Sequence, residues 1–316
     1  MKFFYRSAKA FAVIFILWIY AIAPGLTSPS EIDSFARYDY AHRGLHDDNI
    51  PENSLPAFDL AAEAGYGIEL DVQLTSDDEV VVVHDPTMER VSWGYDPISE
   101  LSYDELTSYY LESSVERVPT LQQALNTIDG RTPLIVEIKT YNDPYKLCPL
   151  VAEILQNYKG KYCIMSFSPE VLRWFKEHEP WIITGQLSRD LSSDKSITRF
   201  EGFRNQNLLS NYMCRPDFQA YHYKTRRNPS MLLSKALFGT TEASWTVKDT
   251  VTYRQMKEEN NIVIFEDIRP YVPPILKEEA EKESVPALAP PVSEEEIRTF
   301  LTNNDSTKRN PSMWNW

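Results

Sequence analysis

From Tyr38 to about Pro270, short β-rich runs alternate with longer amphipathic stretches, and this rhythm restricts the chain to βα units more than any other feature. The strand-like runs are Tyr38 to His42, Gly67 to Val72, Val80 to His84, Leu134 to Lys139, Tyr162 to Phe167, Ile182 to Leu187, Phe218 to Tyr221, Ala243 to Val247 and Asn261 to Phe265. Helix-like segments lie between them at Ser54 to Ala64, Thr120 to Thr127, Pro149 to Tyr158, Pro169 to Glu177 and Asp249 to Glu259. Several open with helix-start chemistry: Ser168 precedes Pro169-Glu170, and Asp249 stands where it can cap the stretch holding Thr252 to Lys257. Nine strand candidates compete for eight places in a closed barrel, so one is misassigned or belongs to an appended hairpin. The count favours a (β/α)8 TIM barrel, residues 36–272, over an open sheet.

The flanks differ in character. Lys2, Arg6 and Lys9 precede the apolar run Ala10 to Ala23, which stops at Pro24-Gly25; residues 1–30 read as a membrane anchor or a secretory signal. Fourteen helical residues span about 21 Å against about 30 Å of hydrocarbon, and running on through Leu26 or snorkelling of Lys9 brings the span near the lower limit. Ala21-Ile22-Ala23 offers a cleavage signature, but Pro24 directly after it hinders a peptidase, so an uncleaved anchor is favoured over secretion after signal cleavage. A buried core helix is the weaker alternative. Basic residues before the span and mixed charge after it place the main domain outside the membrane, extracytoplasmic. Residues 273–316, rich in Pro, Glu, Lys, Ser and Asn, read as an acidic tail or surface helix in which Trp314 and Trp316 have no assignable dock.

Charge narrows the function classes. With 32 Lys and Arg against 46 Asp and Glu the chain carries −14, which argues against a nucleic-acid partner, since no basic stripe is available to neutralise phosphates. Lys224, Arg226 and Arg227 read as a solvated turn. Cys148, Cys163 and Cys214 are too few and too widely spaced for a disulfide framework or a zinc finger and read as structural thiols. No protein partner is inferable.

Polar residues gather at the C-terminal ends of successive strands, the face where barrels build active sites. The first strand ends in Ala41-His42-Arg43-Gly44. The second carries Glu69-Leu70-Asp71, whose alternation turns both carboxylates to one face. Val80 to Val83 runs into His84-Asp85, and the fourth candidate delivers Glu137-Ile138-Lys139. Two acids pointing into one space repel unless a cation lies between them or a pKa rises. Three carboxylates suit one hard divalent cation, Mg²⁺ or Ca²⁺ with Mn²⁺ also possible, rather than zinc. The chemistry that fits is phosphoryl transfer on an anionic substrate. Arg43 and Lys139 would offset charge on the phosphoryl oxygens, and His42 and His84 would supply base and acid, with neither role assigned to either.

Ordered motifs then make the chain resemble the glycerophosphodiester phosphodiesterase family: AHRG at 41–44, PENSLPAF at 51–58, GIELDVQLTSD at 67–77, VVVHD at 81–85, VPTLQQAL at 118–125, EIK at 137–139, SFSPEVL at 166–172 and SWTV at 244–247. The resemblance covers roughly residues 38–270. It implies a TIM barrel and metal-dependent cleavage of a glycerophosphodiester, a small-molecule substrate, into an alcohol and glycerol phosphate. By position it makes Glu69, Asp71 and Glu137 the metal ligands, His42 and His84 the acid-base pair, and Arg43 and Lys139 the phosphate-holding cations. In the family the substrate's own glycerol hydroxyl attacks phosphorus, giving a cyclic phosphate that is then hydrolysed. Glu52 would stand one layer out, touching the metal's surroundings or orienting His42 and Arg43. Trp245 would wall the glycerol pocket, and a purely structural indole is an equal reading. The usual threonine-aspartate-proline ending of the last strand is replaced by Ile264-Phe265-Glu266-Asp267, with Asp267 at the aspartate position.

His46 and His178 read as surface residues, and His222 as a less favoured pocket candidate. Two other readings accompany the principal one. In the first, the same barrel acts as a phospholipase on lysophospholipid or sphingolipid headgroups. In the second, it is a non-catalytic module that binds polyol phosphates or serves as a scaffold.

Overall fold

The computed structural model describes residues 2–25, 29–112, 114–141, 143–193, 195, 197–259 and 261–273. In chain order the elements are α1 (Lys2–Ile22), α2 (Pro29–Ala36), β1 (Tyr40–His42), α3 (Leu55–Ala64), β2 (Gly67–Leu74), β3 (Val80–Val82), α4 (Tyr103–Leu106), α5 (Leu121–Ile128), β4 (Leu134–Ile138), α6 (Pro144–Gln156) and β5 (Tyr162–Ser166). There follow α7 (Pro169–His178), β6 (Thr184–Ser188), α8 (Arg199–Gln206), α9 (Asn211–Cys214), β7 (Phe218–His222), α10 (Pro229–Phe238), β8 (Thr241–Val247), α11 (Thr250–Glu258) and β9 (Ile262–Phe265). The tail expected at 273–316 lies outside the described residues after position 273.

Eight parallel strands close into a barrel, since β1 pairs with β2 on one side and with β9 on the other. The ninth candidate is the appended one. β3 runs antiparallel to the end of β2, with Val72 opposite Val82 and Leu74 opposite Val80. Only five residues separate Leu74 from Val80, far short of the dozen or so a parallel crossover needs. His84 therefore reaches the rim on the return limb of a hairpin, not at the end of a barrel strand. This corrects the sequence-based placement.

Alternation along the strands sorts two apolar layers. Tyr40, Ile135, Cys163, Met165, Phe218, Ala220, Ile262 and Ile264 pack inside the barrel. Ile68, Leu70, Val72, Leu134, Val136, Val263 and Phe265 face the surrounding helices. Helix starts follow the local chemistry. Ser54, Thr120, Ser168, Thr198 and Asn228 each accept a hydrogen bond from a backbone N–H of the first turn. α6 begins at Pro144 rather than Pro149, because Asp143 caps it through Tyr145 N and places Pro144 at the first helical position.

Arg226 is not in a solvated turn. It is buried at 6% exposure, where its Nη2 lies 2.9 Å from Glu242 Oε2 and 2.6 Å from Glu259 Oε2, because β8 turns a carboxylate toward the helix layer. Arg227 stays exposed. α1 is docked at its C-terminal end: Ile22 is fully buried, and its carbonyl accepts from Asn211 Nδ2 at 3.1 Å. Among the described residues no helix is long and apolar enough to cross a membrane.

Candidate active site

Strand register assembles the site. β1 sets His42 beside Glu69, and β2 with β4 sets Asp71 beside Glu137 one level higher. Glu69, Asp71 and Glu137 are buried, and ligand oxygens from the three lie within 4.8 Å of one another. Crowding and burial have the expected electrical effect. Burial first, then Asp71 and Glu137, pushes the Glu69 carboxyl well above its ordinary range, and burial likewise raises Glu137. Asp71 moves the other way: burial works against its charge, but Lys139, His84 and Arg43 hold it ionised.

Lys139 Nζ sits among these acids, 2.7 Å from Asp71 Oδ1 and 2.5 Å from Glu137 Oε1. The ammonium offsets part of the negative charge gathered there. Glu69 Oε1 is buried without a hydrogen-bond partner, which leaves a carboxylate oxygen free to ligate. All donors are carboxylate oxygens, so the residues present fit a hard divalent cation.

The two imidazoles are held alike. His42 Nδ1 lies 2.8 Å from Glu266 Oε2, and His84 Nδ1 lies 2.7 Å from Asp85 Oδ1. A carboxylate on Nδ1 fixes the ring and leaves Nε2 for a substrate proton. Burial, reinforced by Arg43 and opposed by Glu266, pushes His42 down to about 4. His42 is therefore neutral near pH 7 and able to accept a proton.

Arg43 occupies a left-handed position, φ 58°, at the sharp turn after β1, where its N–H donates to Glu69 Oε2 at 3.0 Å. Gly44 follows at φ 80°, and a Cβ there would come within 2.8 Å of Ala57 Cβ, so the turn admits only glycine. The Arg43 side chain reaches Asp71 Oδ2 at 3.4 Å and donates to Glu52 Oε1 at 2.8 Å. Glu52 orients Arg43 but makes no bond to His42, and its other partner is Arg90, which donates to both of its oxygens at 2.7 Å. Arg90 in turn reaches Asp85 Oδ2 at 2.5 Å. One chain of contacts thus ties His84 through Asp85, Arg90, Glu52 and Arg43 to the carboxylate cluster.

Trp245 lines a cavity of about 590 Å³ together with His84, Glu137, Lys139, Tyr141 and Phe167. Its ring meets Phe167 edge-on at 5.7 Å and His222 at 5.3 Å, while its buried Nε1–H has no partner. His222 packs on Trp245 and is absent from the lining. Arg189 and Arg204 bring positive charge to the same cavity.

Asn53, Asp85, Arg90 and Glu266 are participants that the sequence pattern did not single out. Asn53 Nδ2 donates to Asp71 Oδ2 at 2.9 Å. Asn53 and Asp85 belong to the PENSLPAF and VVVHD motifs, whereas Arg90 lies in a loop with no pattern. Asp267, expected at the last strand's aspartate position, is an exposed partner of Lys248, and Glu266 takes the inward place. Alternation explains the correction: Ile262, Ile264 and Glu266 face in, whereas Val263, Phe265 and Asp267 face out.

A closed barrel that carries two carboxylate-held histidines and a buried acidic cluster able to hold a metal ion has the groups of a phosphodiesterase. Residues 42–268 match the glycerophosphoryl diester phosphodiesterase family, and the chain belongs to it. It is 35% identical over 162 residues to a glycerophosphodiester phosphodiesterase of Caldanaerobacter subterraneus, a match spanning 46% of this chain and 65% of that enzyme. A rat lysophospholipase D is 27% identical over 208 residues, 58% of this chain and 65% of that one. An Oleispira antarctica phosphodiesterase, solved in complex with sn-glycerol-3-phosphate, shares the fold. Its TM-score is 0.61 at 21% identity, covering 78% of this chain and 96% of that one.

Proposed function

We propose that the protein hydrolyses glycerophosphodiesters to an alcohol and glycerol 3-phosphate, with His42 and His84 dividing the acid and base work. The observation that carries the reading is the paired geometry: two imidazoles, each held at Nδ1 by a carboxylate, both act on Asp71 in one cluster of three buried acids. Glu69, Asp71 and Glu137 hold one divalent cation, Mg²⁺ or Ca²⁺ with Mn²⁺ as a third candidate, which when bound offsets the negative charge of the phosphoryl oxygens. Arg43 and Lys139 add positive charge on the protein's side. The neutral imidazole of the pair takes the proton of the attacking glycerol hydroxyl, and the protonated one delivers a proton to the departing alcohol oxygen. A cyclic phosphate results, and the same pair with exchanged roles admits water to open it. Trp245 offers its ring face to glycerol carbons and its Nε1–H to a hydroxyl.

The setting is lipid and glycerol metabolism at a membrane. α1, with exposed Arg6 and Lys9 ahead of its apolar stretch, supports an anchored protein, and export led by that stretch would leave the barrel extracytoplasmic. Secretion after cleavage is the competing localisation. The rat relative's name brings lysophospholipid substrates into the same chemistry.

The roles are separated by comparing glycerophosphocholine with a glycerophosphodiester of p-nitrophenol in His42→Ala and His84→Ala. Both variants lose at least about a hundredfold on glycerophosphocholine. The variant lacking the acid recovers on p-nitrophenol, which leaves without a proton. Activity within a few-fold of wild type in both variants contradicts the assignment.

A further inference from the structure

Every side chain of α1 from Phe11 to Leu17 is exposed, so these two turns of the helix are apolar around their whole circumference yet uncovered. Such a helix is stable only inside protein or lipid. It is also fastened to the barrel rather than tethered by a linker. Trp18 Nε1 donates to Ser230 Oγ at 3.0 Å, and Arg215 Nη1 donates to the carbonyls of Tyr20 and Ala23 at 2.9 Å each. Wherever α1 inserts, the flank formed by α8, α9 and α10 must follow.

That flank is itself apolar. Phe200 and Phe203, one helical turn apart on α8, are 73% and 59% exposed. With Leu17, Trp18 and Tyr212 they line a groove of about 670 Å³ between α1 and the barrel wall. The opposite edge of the same helix, Glu201, Arg204 and Asn205, lines the active-site cavity. Arg204 borders both spaces, so one short helix separates the reaction chamber from the apolar groove. Exposed Arg6 and Lys9 at the far end of α1 complement anionic headgroups in a chain whose net charge is −14.

We propose that α1 and the Phe200–Phe203 edge of α8 sink together into the acyl zone of a bilayer leaflet. The active-site cavity then opens at headgroup level, and its phosphodiester comes from a membrane-resident single-chain glycerophospholipid. This rests on the hydrolase reading above and adds to it the bilayer-facing surface and the orientation of the barrel.

The test uses the full chain on vesicles of phosphatidylcholine and phosphatidylglycerol containing lysophosphatidylcholine. Because the three native cysteines are buried, bimane can be placed selectively at Phe203→Cys and, on the far wall of the barrel, at Glu63→Cys. Doxyl-labelled lipid should quench the first and spare the second. The double variant Phe200→Ser/Phe203→Ser should lose at least tenfold on lysophosphatidylcholine in vesicles and stay within twofold on glycerophosphocholine in solution. Equal quenching at the two positions overturns the docking, and so does an equal change, or none, on the two substrates. A wild type that turns over neither substrate with any divalent cation overturns the hydrolase reading instead, and the quenching pair still decides the docking.

Discussion

Glu266 Oε2 rests 2.8 Å from His42 Nδ1 across the seam where the last barrel strand meets the first, 224 residues apart in the chain. Barrel closure is what joins them: β9 pairs with β1 as Tyr40 to Ile264 and Ala41 to Phe265, and the next step in that register sets Glu266 beside His42. Glu266→Gln should therefore lower kcat/KM by about 10²- to 10⁴-fold, because the imidazole loses its orienting anion. Asp267→Asn, on the outward face, should stay within twofold. Steady-state assays with circular dichroism as a folding control decide it, and equal losses in the two variants contradict the assignment.

The carboxylate cluster predicts stabilisation by a cation. Burial and mutual repulsion raise Glu69 and Glu137, so a divalent ion relieves a strain the folded state carries. At about 100 times its dissociation constant the ion should add about 2.7 kcal/mol, read as a rise in Tm over an EDTA sample. Glu137→Gln should remove most of that rise. A Tm indifferent to Mg²⁺, Ca²⁺ and Mn²⁺ contradicts the site.

Stability should also fall on the acid side through His42. Its pKa is about 4 in the folded protein, chiefly by burial, against about 6.5 when unfolded. The folded state resists protonation, so the contribution is complete above about pH 6.5 and lost as pH falls through about 4. Chemical denaturation between pH 7.5 and 4.5 should show a smaller loss for His42→Gln than for wild type. Parallel curves contradict it.

Behind β8, Glu242 is fully buried and holds two cations, Arg226 and Lys235, the latter at 2.8 Å. Glu242→Ala leaves Arg226 with Glu259 alone and Lys235 with Asn261 alone, and should cost about 1–3 kcal/mol in urea unfolding. A loss under about 1 kcal/mol would show that water or Glu259 compensates.

Much of the site is legible in the sequence because strand alternation is a two-residue rule that survives folding. On pattern alone it turns Glu69 with Asp71, and Glu137 with Lys139, toward one space. The same rule, carried one residue past the end of β9, also reaches Glu266; the family's usual aspartate, aligned at 267, draws attention away from it. The β3 hairpin is readable from the short Leu74 to Val80 gap, because a parallel connection has no room there. Arg90 is not readable. It acts from a loop whose course is set by tertiary contacts with Glu52 and Asp85, and no local period encodes such a reach. Arg226 escapes for a related reason: adjacent charges resemble a solvated turn unless the buried partner on another strand is known.

The central claim is a cation-dependent diester cleavage run by two carboxylate-held histidines. Its most direct test is release of glycerol 3-phosphate from glycerophosphocholine by the full chain with EDTA, Mg²⁺, Ca²⁺ or Mn²⁺, beside His42→Ala. The account predicts release that EDTA stops, that a divalent cation restores, and that the variant lacks. Release that persists undiminished in EDTA, or that His42→Ala retains, contradicts it.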